Sequence, residues 1–182
     1  MTDATLPAQL HFGFLTVFAE PNGFLGGYLV TNSWGRPLEF RLSTAVQPNK
    51  VQQILYAGTL TEYLCADLIG RTLVEKTATP AHLLVTDSAN VLPVRARVDV
   101  PVIAAIPDGQ IPLSSPDRSL ATFSHPRSSL PLTLDLKWAG DEELVRAILD
   151  RVDSALDLAE PFARIREAMG EARKMGVTSR AA

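Results

Sequence analysis

Two short runs constrain the fold more than anything else in the chain. "HLLVTD" (82–87) and "VPVIAAI" (100–106) are apolar with no alternation. A strand with one wet face alternates apolar and polar side chains, so an unbroken apolar run of this length reads as a strand covered on both faces. The segment between them, "SANVLPVRARV", can form a short helix that Pro93 either breaks or restarts. Strand, short crossover and strand predict a parallel pair.

Upstream, the pattern is antiparallel. "HFGFLTVF" is a strand by its aromatic and β-branched content, and "GFLGGYLVTN" follows after the turn residues Pro21, Asn22 and Gly23. Beyond the loop "SWGRP", Leu38, Phe40 and Leu42 alternate with Glu39 and Arg41, the period of a strand with one solvated face. Three strands with short turns form a meander. From Pro48 the period becomes helical: Val51, Ile54 and Leu55 first, then Leu60, Leu64, Leu68 and Ile69. Thr59 followed by Glu62 has the spacing of a capping box, which is the preferred reading of Glu62 over catalysis.

The remaining organisation follows from composition. Residues 107–131 are dense in Pro, Ser and charge and read as a surface loop; "LTLDLKW" alternates and can add an edge strand, with Trp138 closing that edge or meeting a partner. From Asp141 to about Met175, Leu144, Ile148, Val152, Ala155, Ala159, Phe162, Ile165, Met169 and Ala172 keep one apolar stripe, and Pro161 kinks this helix or starts a second. The domain plan is therefore a mixed α/β core over 1–106, a loop over 107–131, an edge strand and C-terminal helices over 132–175, and a loose tail over 176–182. With 182 residues, 46% of them hydrophobic and 20% charged, this is one globular domain plus an appendage.

Several function classes lose support. A formal charge of −3 supplies no general basic field, so a nucleic-acid partner would need a local patch. A single cysteine, Cys65, cannot form an internal disulfide or a cysteine-based zinc cluster, and a buried inert thiol is its expected state. "MTDATLPAQL" lacks the basic and apolar regions of a signal peptide, and no apolar run is long enough to span a membrane; the expectation is a soluble cytoplasmic protein with no cofactor and no metal. The glycines of "GFLGGY" lie inside a strand pattern with no Lys-Ser/Thr after them, which suits close approach of another element better than a phosphate loop. His11, His82 and His125 lack the spacing of a metal pair, and no serine sits in a nucleophile elbow.

Asp87 remains. It stands at the carboxyl end of a central strand, where ligands of α/β sheets gather, and it is also well placed to cap the helix that follows. Capping is the leading expectation, and catalysis stays open with Glu20 as a second candidate carboxylate.

The order of elements in "FLTVFAEPNGFLGGYLVTNSWGRPLEF", "PNKVQQILY" and "HLLVTDSANVL" resembles the ribonuclease H-like fold over residues 12 to about 106, and "GGY", "GR" and "TDS" match as words. That resemblance implies an acid on the first strand, a Glu on the first helix and an Asp on the fourth strand. Here the first acid falls on or near Thr16 and the second on Gln52, and only Asp87 survives. Two-metal chemistry needs several converging carboxylates, so the resemblance implies a fold without its chemistry. "GGYLVTNSWGRPLEFR" with "VQQILY" is also similar to a family of bacterial proteins of unassigned activity. The expected function is a non-catalytic binding or scaffolding subunit of a bacterial complex, joining a protein partner or a second copy through Phe162, Ile165, Met169 and Trp34. The stripe can equally be core packing, and Trp34 a loop anchor. The alternative is a metal-dependent nuclease or other phosphoester hydrolase using Asp87 with Glu20 or Glu62.

Overall fold

A computed structural model describes residues 6–107, 110 and 119–176. Seven strands form one mixed sheet: β1 (His11–Glu20), β2 (Gly23–Asn32), β3 (Pro37–Leu42), β4 (Leu83–Thr86), β5 (Val102–Ala105), β6 (Leu120–Phe123) and β7 (Leu132–Asp135). Their order across the sheet is β3-β2-β1-β4-β5-β7-β6. The meander is antiparallel, β4 runs parallel to both β1 and β5, and β7 returns antiparallel to β5. The two unbroken apolar runs are thus the central parallel strands, with every residue of β4 and β5 buried.

Helical layers cover both faces. On one face α4 (Glu142–Leu149) and α5 (Glu160–Lys174) pack over Phe12, Phe14, Leu83, Val85 and Ile103. On the other, a continuous helical run follows α1 (Lys50–Tyr56): a 3₁₀ turn, α2 (Leu60–Glu62), a π-helix (Tyr63–Gly70) and α3 (Arg71–Glu75). Its Cys65, Ala66, Ile69 and Leu73 bury against Leu15, Val17, Tyr28 and Leu84, helped by a 3₁₀ helix at Ala89–Ala96. Successive strand residues point to opposite layers, which divides β1 into an even-numbered set facing α5 and an odd-numbered set facing the π-helix. The glycines of "GFLGGY" let both layers close on β2. A Cβ on Gly26 would meet Ile69 Cγ2 at 2.3 Å, and one on Gly27 would meet Ile165 Cγ2 at 2.5 Å and Met169 Sδ at 2.6 Å.

Several expectations are corrected here. The long C-terminal helical arm expected as an α/β appendage packs on the chain's own sheet: Phe162, Ile165 and Met169 are buried there, the core-packing alternative, and cannot serve as a docking stripe. The helical pattern from Asp141 is broken at 150–159, where Asp153 and Asp157 side chains take the amides of Ala155 and Ala159 (2.9 and 2.8 Å), and Pro161 opens α5. The 107–131 loop contains β6, and β6, not β7, is the sheet edge. Thr59 caps nothing; its hydroxyl donates back to the Tyr56 carbonyl inside the helical run. The capping box lies ten residues earlier, where Asn49 and Gln52 exchange side-chain to backbone bonds. The expected tail beyond residue 176 lies outside the described residues.

Candidate functional site

The register of β1 on β4 ends at Leu15 opposite Thr86, which sets Thr16 abreast of Asp87. Both side chains belong to the α5 face, and Thr16 is fully buried. Across from them stands Arg166 of α5. Its Nη2 donates to Asp87 Oδ2 and lies 3.4 Å from Thr16 Oγ1. The Asp87 side chain is 14% exposed, while Arg166 is 48% exposed and reaches inward from the rim. The other carboxylate oxygen, Asp87 Oδ1, is buried without a hydrogen-bond partner among the described residues.

Glu20 is held in the same way. Arg173, two turns beyond Arg166, donates to Glu20 Oε2. The spacings explain the pairing: four strand residues from Thr16 to Glu20 advance about 13 Å, and seven helical residues advance about 10.5 Å. Two arginines on one face of α5 thus meet two acids on one face of the sheet. Between them lies a shallow cleft of about 350 Å³ lined by Phe18, Glu20, Arg166, Met169, Gly170 and Arg173, with the Arg166 guanidinium 5.9 Å from the Phe18 ring centre.

Asp87 therefore does not cap the following helix. Ser88 occupies the N-cap position, its amide donating to Thr86 Oγ1 (3.2 Å), and its own side chain makes no capping bond. Glu62 lies in the helical layer across the sheet from Asp87, so the acids named for a metal pair do not converge. Among the described residues no cluster of three or more His, Cys, Asp or Glu could hold a metal ion. Gln52, where the resemblance puts a helix acid, is spent in the Asn49 capping box.

The other candidates fall into structural roles. Burial pushes the Cys65 thiol up to about 12, which leaves it protonated and inert. His82 Nδ1 accepts from the His11 amide, and burial, then the neighbouring His11, lowers its pKa. His125 is 8% exposed in the loop before β7. Its Nδ1 accepts from the Arg127 amide (3.2 Å), so Nε2 carries the proton and donates to Asp150 (3.0 Å). Trp34 is 71% exposed at the β2–β3 hairpin, and Trp138 stacks under Arg95 at 4.1 Å.

Sequence reasoning missed Arg166 and Arg173. The available signal was their spacing of seven beside the apolar residues Ile165, Met169 and Ala172, which puts both on one flank of the buried stripe. No described helix is long and apolar enough to cross a membrane. Neither a scan against protein-family models nor a search of curated proteins found a match for this chain.

Proposed function

We propose that this chain is a non-catalytic binding or scaffolding subunit of a bacterial cytoplasmic complex, built on a sheet of ribonuclease H-like order. The strand order β3-β2-β1-β4-β5, with β1, β4 and β5 parallel, supports that fold reading. One observation carries the function: Thr16 stands where the resemblance calls for the first acid, and the guanidinium of Arg166 takes the position beside Asp87 that a metal cation would need. A guanidinium neutralises the carboxylate as a cation does, but it has no open coordination position at which to lower the pKa of a bound water. Association is then the activity that remains, and Trp34, Val51, Ile54 and Leu55, all more than 60% exposed, support it.

The second reading, a metal-dependent phosphoester hydrolase, is favoured by the unpartnered Asp87 Oδ1. Incubation of the protein with labelled single- and double-stranded DNA and RNA in Mg²⁺ or Mn²⁺ separates the two. The expected result is no cleavage by the wild type or by Arg166→Ala, since removing the arginine does not restore the missing acid at Thr16. Metal-dependent cleavage that disappears in Asp87→Asn would overturn the proposal.

A further inference from the structure

The free edge of β3 is self-complementary, and we propose that it pairs antiparallel with the same strand of a second copy, about a two-fold axis through Phe40. This deepens the association reading by naming the first partner.

The backbone fixes the possible registers. Ser43 N–H donates to the Gly26 carbonyl (2.9 Å), and the register continues from there through Tyr28 opposite Arg41 and Val30 opposite Glu39. Hydrogen-bonded and non-bonded pairs alternate in an antiparallel ladder, so Glu39 and Arg41 spend their amides and carbonyls on β2. Leu38, Phe40 and Leu42 point theirs outward, and β3 is the terminal strand of the sheet. An edge of this kind is a template for another strand unless it is blocked. On the α5 face the helix reaches β2, where Ile165 and Met169 rest on Gly27, and leaves Leu38 and Phe40 44% and 37% exposed. On the opposite face an open groove of about 620 Å³ runs beside the edge, lined by Arg41, Leu42, Leu68, Ile69, Leu73 and Lys76 among others.

Charge then selects one register. With Phe40 opposite Phe40, Leu38 faces Leu42, Glu39 faces Arg41, and each outward amide meets an outward carbonyl. Sliding two residues either way keeps the hydrogen-bonding parity but sets Glu39 against Glu39 or Arg41 against Arg41, which like-charge repulsion disfavours. Within one chain Arg41 already bonds Glu39 at 2.9 Å, so pairing closes a ring of two acids and two arginines. Opposed side chains share a face, so Leu38, Phe40 and Leu42 of both copies form one apolar strip between the two α5 helices. The contact is isologous and closes, leaving no edge for further growth on that side.

Sedimentation at about 100 μM, where associations of micromolar Kd are nearly complete, should give twice the 19.7 kDa chain mass. Arg41→Glu, an exposed substitution that sets Glu against Glu, should return the mass to one chain with an unchanged circular dichroism spectrum. The register has its own readout. Directly opposed residues of a bonded pair have Cα atoms about 5.5 Å apart, within disulfide reach, so Phe40→Cys should cross-link to itself on mild oxidation. Leu42→Cys alone should not, whereas a mixture of Leu38→Cys and Leu42→Cys proteins should. The buried Cys65 does not compete. A monomeric wild type, or a dimer that tolerates Arg41→Glu and leaves Phe40→Cys uncross-linked, would overturn the β3 dimer. A monomer that still binds a different protein would do so while leaving the association reading intact.

Discussion

Arg166 pairs with a carboxylate that has lost most of its water, and one of the two oxygens of Asp87 has no other partner to turn to. Truncation to Arg166→Ala should therefore destabilise the fold by about 1–3 kcal/mol, below the cost of breaking a fully buried pair because the arginine is half exposed. Asp87→Asn in the same background should recover part of that loss, since the stranded charge is then gone; urea unfolding of the four proteins of the cycle measures the coupling. Gly27→Val tests the other side of α5. A branched side chain there meets Ile165 and Met169 within 2.6 Å, and overpacking of this kind should cost about 1–3 kcal/mol in the same assay. At this scale the sequence revealed roles that depend on one residue and its local backbone: the inert Cys65 and the close-approach glycines follow from their positions in periodic segments. It did not reveal Asp87. The choice between cap and catalyst omitted an arginine 79 residues away, which only the packing of α5 on β1 brings into reach.

At the scale of elements, β3 is tied to the turn after α3 by Glu39. Its carboxylate accepts from the amides of Thr79 (2.8 Å) and Ala78 (3.2 Å) and from Arg41, and these bonds, the Thr79 amide first, hold its pKa down to about 2. A depressed carboxylate adds stability that is present above its unfolded pKa, near 4.5, and is lost as pH falls toward 2. Glu39→Gln should thus be less stable than the wild type at pH 7, and the gap should narrow between about pH 4.5 and 2 in thermal melts across that range. A gap that persists unchanged to pH 2 would remove the charged bond as its cause. The meander and the parallel pair were legible because strand periodicity is local and the unbroken runs have few alternatives. The C-terminal region was less so. Val152, Leu156 and Leu158 are buried in a non-helical stretch at spacings close to a helical stripe, and the two aspartates that shape its turns look like ordinary surface acids until their side chains bond nearby amides.

For the whole molecule, the two helical layers leave different surfaces behind. The α5 layer closes over the carboxyl ends of β1 and β4, where Arg166 pairs with Asp87 and Arg173 with Glu20. The other layer starts with α1, none of whose residues is buried, and carries Val51, Ile54 and Leu55 into solvent. The proposed binding role rests on this contrast between a carboxylate paired with arginine on one side and exposed apolar side chains on the other. The most direct test is a calorimetric titration of the wild-type protein with Mn²⁺ at pH 7. With Asp87 already paired to Arg166, no binding should register below millimolar metal, in contrast to a site built from converging carboxylates. A saturable micromolar heat that vanishes in Asp87→Asn would contradict this, because it would mean that the arginine yields its place to a metal.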